Sequence, residues 1–143
     1  MIKFFFFVIL LLQISCTKSE RTAKDTLIEF VNFRFSNSQS IDRLRPYLAE
    51  DLFKKISELP ANEIDKFFGI NKRKLMKLKI NSENCTDDTC LLTYLIQYED
   101  KLESKDRVQV YTKKTAQMRR IDSSWLIIDV DEIKTFLDFK NPI

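Results

Sequence analysis

Apolar residues fall along this chain in three successive patterns. From Phe4 to Leu12 they form one unbroken run. From Thr22 to Gly69 they recur at helical spacing, and from Lys74 onward they alternate with polar residues as strands do. In the helical part, Ala23, Leu27, Phe30, Val31 and Arg34 share one stripe. Thr22 stands as a cap with Asp25 three residues on, a box-like start, and Ser36 to Ser40 ends the helix. A short helical piece from Ile41 to Arg45 stops before Pro46, because a residue preceding proline avoids helix. A third helix is predicted over about Ala49 to Leu59, with Leu52, Phe53 and Ile56 inward and Pro60 closing it. A fourth, capped by Asn62, carries Ile64, Phe67 and Phe68 to Gly69, the single glycine and a natural helix end.

The strand part begins with Met76, Leu78 and Ile80 alternating with Lys77 and Lys79, a half-buried strand with a basic outer face. Leu91 to Tyr98 is apolar on both faces, which predicts cover on both sides. After a charged turn from Glu99 to Asp106, Arg107 to Arg120 reads as a long strand with Val108, Val110, Ala116 and Met118 inward. A register change near Thr112 to Thr115 predicts a bulge there. Asp122-Ser123-Ser124 makes a turn into a last strand, Trp125 to Val130. Ile133, Phe136 and Leu137 then return to helical spacing and predict a short closing helix. Helices first and an antiparallel meander after them define an α+β fold, with the helices packed on one face of the sheet.

That element order, with the motif Asp-Ser-Ser-Trp-Leu-Ile from Asp122 to Ile127, resembles the nuclear-transport-factor-like, cystatin-like family. The resemblance covers Thr22 to about Asp131 and implies a curved, cone-like sheet wrapped around the helices, with a pocket at its wide end. Some members of that family use the pocket for catalysis, and many use it only for binding or dimerisation. Here it would draw on Tyr94, Tyr98, Tyr111, Trp125 and Asp129.

The amino-terminal run changes where such a domain is expected to reside. Lys3, nine apolar residues and a small-residue exit at Ser15 follow the order of a secretory signal peptide. A membrane-spanning helix needs roughly 20 apolar residues, so the run is short for that role. Ser15-Cys16 resembles the end of a bacterial lipoprotein signal, whose cysteine receives a diacylglyceryl group. Gln13 departs from that pattern, which usually has Leu there. It fits ordinary signal cleavage no better, since that prefers a small residue at the same place. The expected organisation is a signal over 1–15, a tether over 16–21 and one domain over 22–143. Cys16 is the lipidation site in this reading, and the mature protein is anchored to the envelope, on the periplasmic or outer-surface side of a bacterial membrane. Acyl anchoring is a matter of buried methylenes, each contributing about 0.8 kcal/mol.

Composition narrows the remaining choices. Removing residues 1–15 leaves 23 basic and 21 acidic residues, a balance that argues against a dedicated nucleic-acid binder. With Cys16 set aside, Cys85 and Cys90 remain as an even pair around the polar turn Thr86-Asp87-Asp88-Thr89. Facing each other across a hairpin, they fit a disulfide, whose loop-entropy contribution is about 2 kcal/mol for so short a ring. A redox or zinc pair is the alternative, but both usually space their cysteines by two residues.

Histidine is absent, so the usual general base near neutral pH and every imidazole metal ligand are absent as well. No metal or cofactor is expected. Carboxylate and phenol chemistry centred on Asp129 is the only enzymatic route left, as in a cofactor-independent isomerase or lyase. Against it, an Asp at a strand end is usually solvated and alternating tyrosines usually pack with a wet tip. Asp129-Val130-Asp131-Glu132 lacks the glycine and spacing of a calcium loop. Lys72, Arg73, Lys74, Lys77 and Lys79 read as a solvated strand face or as a surface for anionic lipid. The favoured expectation is a non-catalytic, membrane-anchored lipoprotein that binds a small ligand or a partner protein, or pairs with a second copy through a spare apolar face.

Overall fold

A computed structural model describes residues 20–37, 39–69, 72–102 and 106–139. The signal and Cys16 lie outside the described residues. Among the described residues, three α-helices and a 3-10 turn precede a four-stranded antiparallel sheet in simple meander order, β1-β2-β3-β4. The helices are α1 (Ala23–Arg34), α2 (Glu50–Ser57) and α3 (Ala61–Phe68), with the 3-10 turn at Asp42–Leu44. The strands are β1 (Arg73–Cys85), β2 (Thr89–Lys101), β3 (Arg107–Ile121) and β4 (Ser124–Phe139).

Helix α1 starts where its cap chemistry dictates. Thr22 Oγ1 accepts the Asp25 N–H at 3.1 Å, and the Asp25 carboxylate accepts the Thr22 N–H at 3.1 Å. Two otherwise orphaned donors are thereby satisfied. Hydrogen bonds from Thr22 hold the Asp25 carboxyl below its ordinary value. At the other end of the helical layer, Gly69 takes φ 61° as the left-handed end of α3. That position suits glycine, since an added Cβ would also lie within 3 Å of the Arg73 side chain. The start of α3 departs from expectation: its cap position is Pro60, and Asn62 lies inside the helix. Proline's fixed φ and missing N–H suit it to this boundary, where donors are unpaired in any case.

One sheet face carries the core. Along β2 the buried residues are Cys90, Leu92, Tyr94 and Ile96, and along β3 they are Val108, Val110, Thr112, Ala116 and Met118. Leu27, Phe30 and Val31 of α1, Leu44, Leu48, and Phe53 and Ile56 of α2 close over Leu92, Tyr94, Ala116, Met118 and Ile127 in a single cluster. The segment before α2 also guards the edge of β4. Ile127 N donates to Tyr47 O at 2.8 Å, and Ala49 N donates to Ile127 O at 2.9 Å.

The β1–β2 and β3–β4 hairpins follow the turn chemistry of the sequence. Asp122 and Ser123 both have positive φ, 47° and 64°, the conformation a tight two-residue hairpin demands. Cys85 and Cys90 are direct cross-strand partners and form a disulfide, with Cα atoms 4.0 Å apart. Thr86 N donates to Thr89 O at 2.8 Å just beyond them. By alternation, the cysteines therefore occupy a non-hydrogen-bonded pair, where side chains approach most closely.

Four expectations are corrected in the sheet. The closing helix is absent, because the chain from Asp131 continues β4 to Phe139 and pairs with β3 from Val108 to Lys114. Without that pairing, the outer edge of β3 from Val108 to Lys114 would be open, and backbone hydrogen bonding outweighs a three-residue helical spacing. The bulge expected in β3 is in β4 instead. β2 and β3 pair without a shift, while Ile128 and Ile133 are extra residues of β4 opposite unbroken β3. In β1, Met76 is likewise a bulge residue, so Leu75, Leu78 and Ile80 share the helix-side face and Met76 is 49% exposed. Finally, β2 is covered on one face only: Leu91, on the other face, is 44% exposed. Among the described residues no second layer lies over it.

Candidate functional site

A cavity of about 290 Å³ lies between the helical layer and the β3–β4 side of the sheet. Its apolar wall comes from Phe30 of α1, Leu48, Leu52 and Ile56 around α2, Phe67 of α3 and Val130 of β4. Three charged residues complete it: Arg34, Lys114 and Asp129. Each helix contributes because its inward stripe ends there. Phe30 and Arg34 are successive members of the α1 stripe, and Leu52 and Ile56 are spaced by one turn on α2.

Arg34 is the unusual group. Its guanidinium donates to the Phe67 carbonyl and stands over two rings, 4.1 Å from the Phe67 centroid and 5.9 Å from that of Phe30. Its Nε is closed off from solvent and has no partner. Among the described residues no carboxylate forms an ion pair with it. Burial accordingly pushes its pKa down to about 10, which still leaves it charged at neutral pH. A half-buried cation whose Nε is closed off, held only by a carbonyl and ring faces, has an incomplete set of partners.

The other two charges differ. Lys114 Nζ pairs with Glu132 at 3.2 Å. Glu132 in turn accepts from Thr135 Oγ1 at 2.6 Å, and these contacts, the hydroxyl's first, hold its carboxyl below the ordinary glutamate value. Asp129 is exposed, and its Oδ1 accepts the neighbouring Val130 N–H at 3.0 Å.

Of the pocket residues expected from sequence, only Asp129 lines this cavity. Tyr94 is 1% exposed in the core, where burial pushes its phenol up to about 12 despite the nearby Arg34 charge. Tyr98 is half-buried, packs against Phe35 with centroids 5.4 Å apart, and is also raised by burial. Tyr111 sits on the opposite sheet face, where its hydroxyl donates to Gln109 at 2.9 Å and accepts from Gln97 at 3.2 Å. Trp125 is at the hairpin end, beside Arg21 and Cys85. The structure therefore disperses the four aromatic residues. Arg34 carried the sequence signal that identifies the cavity, a cation on an otherwise apolar helix stripe.

Two larger, adjoining clefts of about 610 and 620 Å³ share Lys72, Arg73 and Lys101 at the far end of β1 and β2. Their walls are charged, and their arginines are committed: Arg73 to Asp100 at 3.2 Å, Arg107 to Glu99 at 2.6 Å. Their chemistry is that of a solvated surface, whereas the smaller cavity combines apolar walls with a few polar groups, as ligand sites do. Glu83, Cys85 and Cys90 place three ligand-type atoms within 4.8 Å of one another. The two sulfurs are bonded to each other, which removes them as metal ligands.

No described protein family matches this sequence, and no curated protein is significantly similar to it. In three dimensions the chain is similar to the intermembrane space region of the chloroplast protein ARC6, known from a crystal structure. The TM-score is 0.57 at 14% identity, over 80% of this chain and 95% of that one. At that identity the likeness shows a shared fold.

Proposed function

We propose that this protein is a non-catalytic, lipid-anchored component of a bacterial cell envelope whose single α+β domain holds a small ligand between its helices and sheet. The observation that carries the reading is the cavity bounded by Phe30, Leu52, Ile56 and Phe67 with Arg34 in its wall. The address rests on Lys3 to Cys16, and the Cys85–Cys90 disulfide is consistent with an oxidising compartment. The nuclear-transport-factor-like resemblance, which implies a pocket at the wide end of the sheet, supports a ligand-holding role. An isomerase-like reaction at Asp129 has less support, because Asp129 is exposed and no tyrosine joins it on the cavity wall.

Two measurements on the full chain test this reading. Mass spectrometry of the mature protein should find a diacylglyceryl group on Cys16, and an unmodified Cys16 would remove the anchor from the reading. Calorimetric titration with octanamide, using protein in lipid nanodiscs and empty nanodiscs as reference, should show saturable binding that Leu52→Trp abolishes by filling the cavity. Equal binding by the filled variant would show that the ligand sits elsewhere.

A further inference from the structure

We propose that the ligand is a short amphipathic carboxylate, its head group paired with Arg34 and its apolar tail lodged among Phe30, Leu52, Ile56 and Phe67. The inference rests on the reading of the cavity as a ligand site and adds the chemistry of what fills it. Three observations converge on it.

The first is the unmet demand of Arg34. A guanidinium presents five donors in a planar fork that matches a carboxylate. Here one nitrogen reaches the Phe67 carbonyl, and the buried Nε reaches nothing. A ligand carboxylate arriving at the fork would satisfy donors that folding has left unpaired. A neutral amide could accept from the same donors but would leave the charge uncompensated.

The second is the sign of the surroundings. Of the two cations on the wall, Lys114 is neutralised by Glu132, so Arg34 is the one that lacks a counter-charge among the described residues. Asp129, the acid on the same wall, is exposed, where water and salt screen it. The rings of Phe67 and Phe30 lie 4.1 and 5.9 Å from the guanidinium, contacts that attract the cation without neutralising its charge.

The third is size. Ligand cavities commonly run from about 300 to 1,000 Å³, and this one, near 290 Å³, lies at the bottom of that range. It suits a medium-length acyl chain with one polar end and is too small for the tails of a membrane lipid. Its walls present no second strong donor set, so a dicarboxylate would leave one charge in apolar surroundings.

The test compares three ligands that share one tail: octanoate, octanamide and octylammonium. Each is titrated calorimetrically into the full chain in nanodiscs. Octanoate should bind about tenfold more tightly than octanamide, the difference one additional charge-assisted contact contributes, and octylammonium should bind weakest. In Arg34→Gln the preference for octanoate should shrink to within about twofold, octanoate affinity falling much more than octanamide affinity. A purely structural role for Arg34 would instead weaken all three ligands together, and that result would overturn the assignment. Equal affinity of octanoate and octanamide for the wild-type protein would also overturn it, while leaving the cavity as a ligand site. If no ligand binds, the cavity reading and this inference fail together. The wild-type comparison stands even if Arg34→Gln does not fold, and Arg34→Lys, which keeps the charge but loses the fork, should show an intermediate preference.

Discussion

Strand β4 holds two regions that contrast within sixteen residues. In its first half, Ile127 is 0% exposed, lies beneath the helices and is bracketed by the backbone of Tyr47 and Ala49. In its second half, Ile133, Phe136 and Leu137 are 52%, 54% and 56% exposed. Both halves pair with β3 along their length. The ladder hydrogen bonds are therefore common to both. Phe136 pairs with Tyr111 and faces away from the helices, so the like-for-like comparison is Leu137 with Ile127. Leu137 faces the same side as Val110 and Ile127 by register, yet among the described residues no helix reaches over it. Main-chain pairing alone is enough to extend the strand, but burial of its side chains depends on the second layer.

The largest expected effect comes from the covered half. Ile127→Ala should destabilise the domain by about 2–5 kcal/mol, because it removes a side chain from the centre of the cluster and leaves a void. Urea unfolding measures this directly. A loss below about 1 kcal/mol would mean that the helical layer collapses onto the gap and the two halves of β4 differ less than their exposures indicate.

Next in size is a pH effect on the same covered region. Burial favours the neutral phenol of Tyr94, pushing its pKa up to about 12 from the ordinary 10.0. The unfolded chain releases that proton first, so stability is fully present below pH 10 and falls as pH rises towards 12. The loss should be on the order of 2 kcal/mol, and it should shrink in Tyr94→Phe. An unchanged alkaline profile in that variant would place the titrating group elsewhere.

The smallest effect belongs to the open half. Leu137→Ala should change stability by no more than about 0.5 kcal/mol, as surface substitutions usually do. A loss approaching that of Ile127→Ala would show that something covers this end of the sheet in solution, with a second copy of the chain the first candidate. Sedimentation of the wild-type protein would identify that case.

These contrasts also explain how much of the molecule was legible in the amino-acid sequence. The start of helix α1 was readable to the residue because Thr22 and Asp25 form it through local bonds alone. Gly69 and the two hairpin turns were readable for the same reason, since their backbone conformations depend on the residues that make them. The bulges at Met76, Ile128 and Ile133 were not, because an extra residue in a ladder is defined by its partner strand. The same cause misled the reading of the tail, where Ile133, Phe136 and Leu137 have helical spacing but β3 offers fifteen residues of pairing. The site divides along the same line. Asp129 was named in advance and lies on the cavity wall, whereas Tyr94, Tyr98, Tyr111 and Trp125 were grouped with it through the family resemblance and are scattered by register. Arg34 stood in plain view on its apolar stripe, and its meaning came only from Phe67, thirty-three residues on, whose carbonyl and ring it meets.

The central claim is that ligand enters the covered region and contacts Arg34. Hydrogen–deuterium exchange of the full chain in nanodiscs, with and without saturating octanoate, tests it most directly. The expected result is slower exchange in peptides spanning Phe30 to Arg34, Leu48 to Ile56 and Phe67, with no change over Ile133 to Leu137. Slower exchange confined to Ile133 to Leu137 would contradict the claim by placing the ligand on the open half of β4.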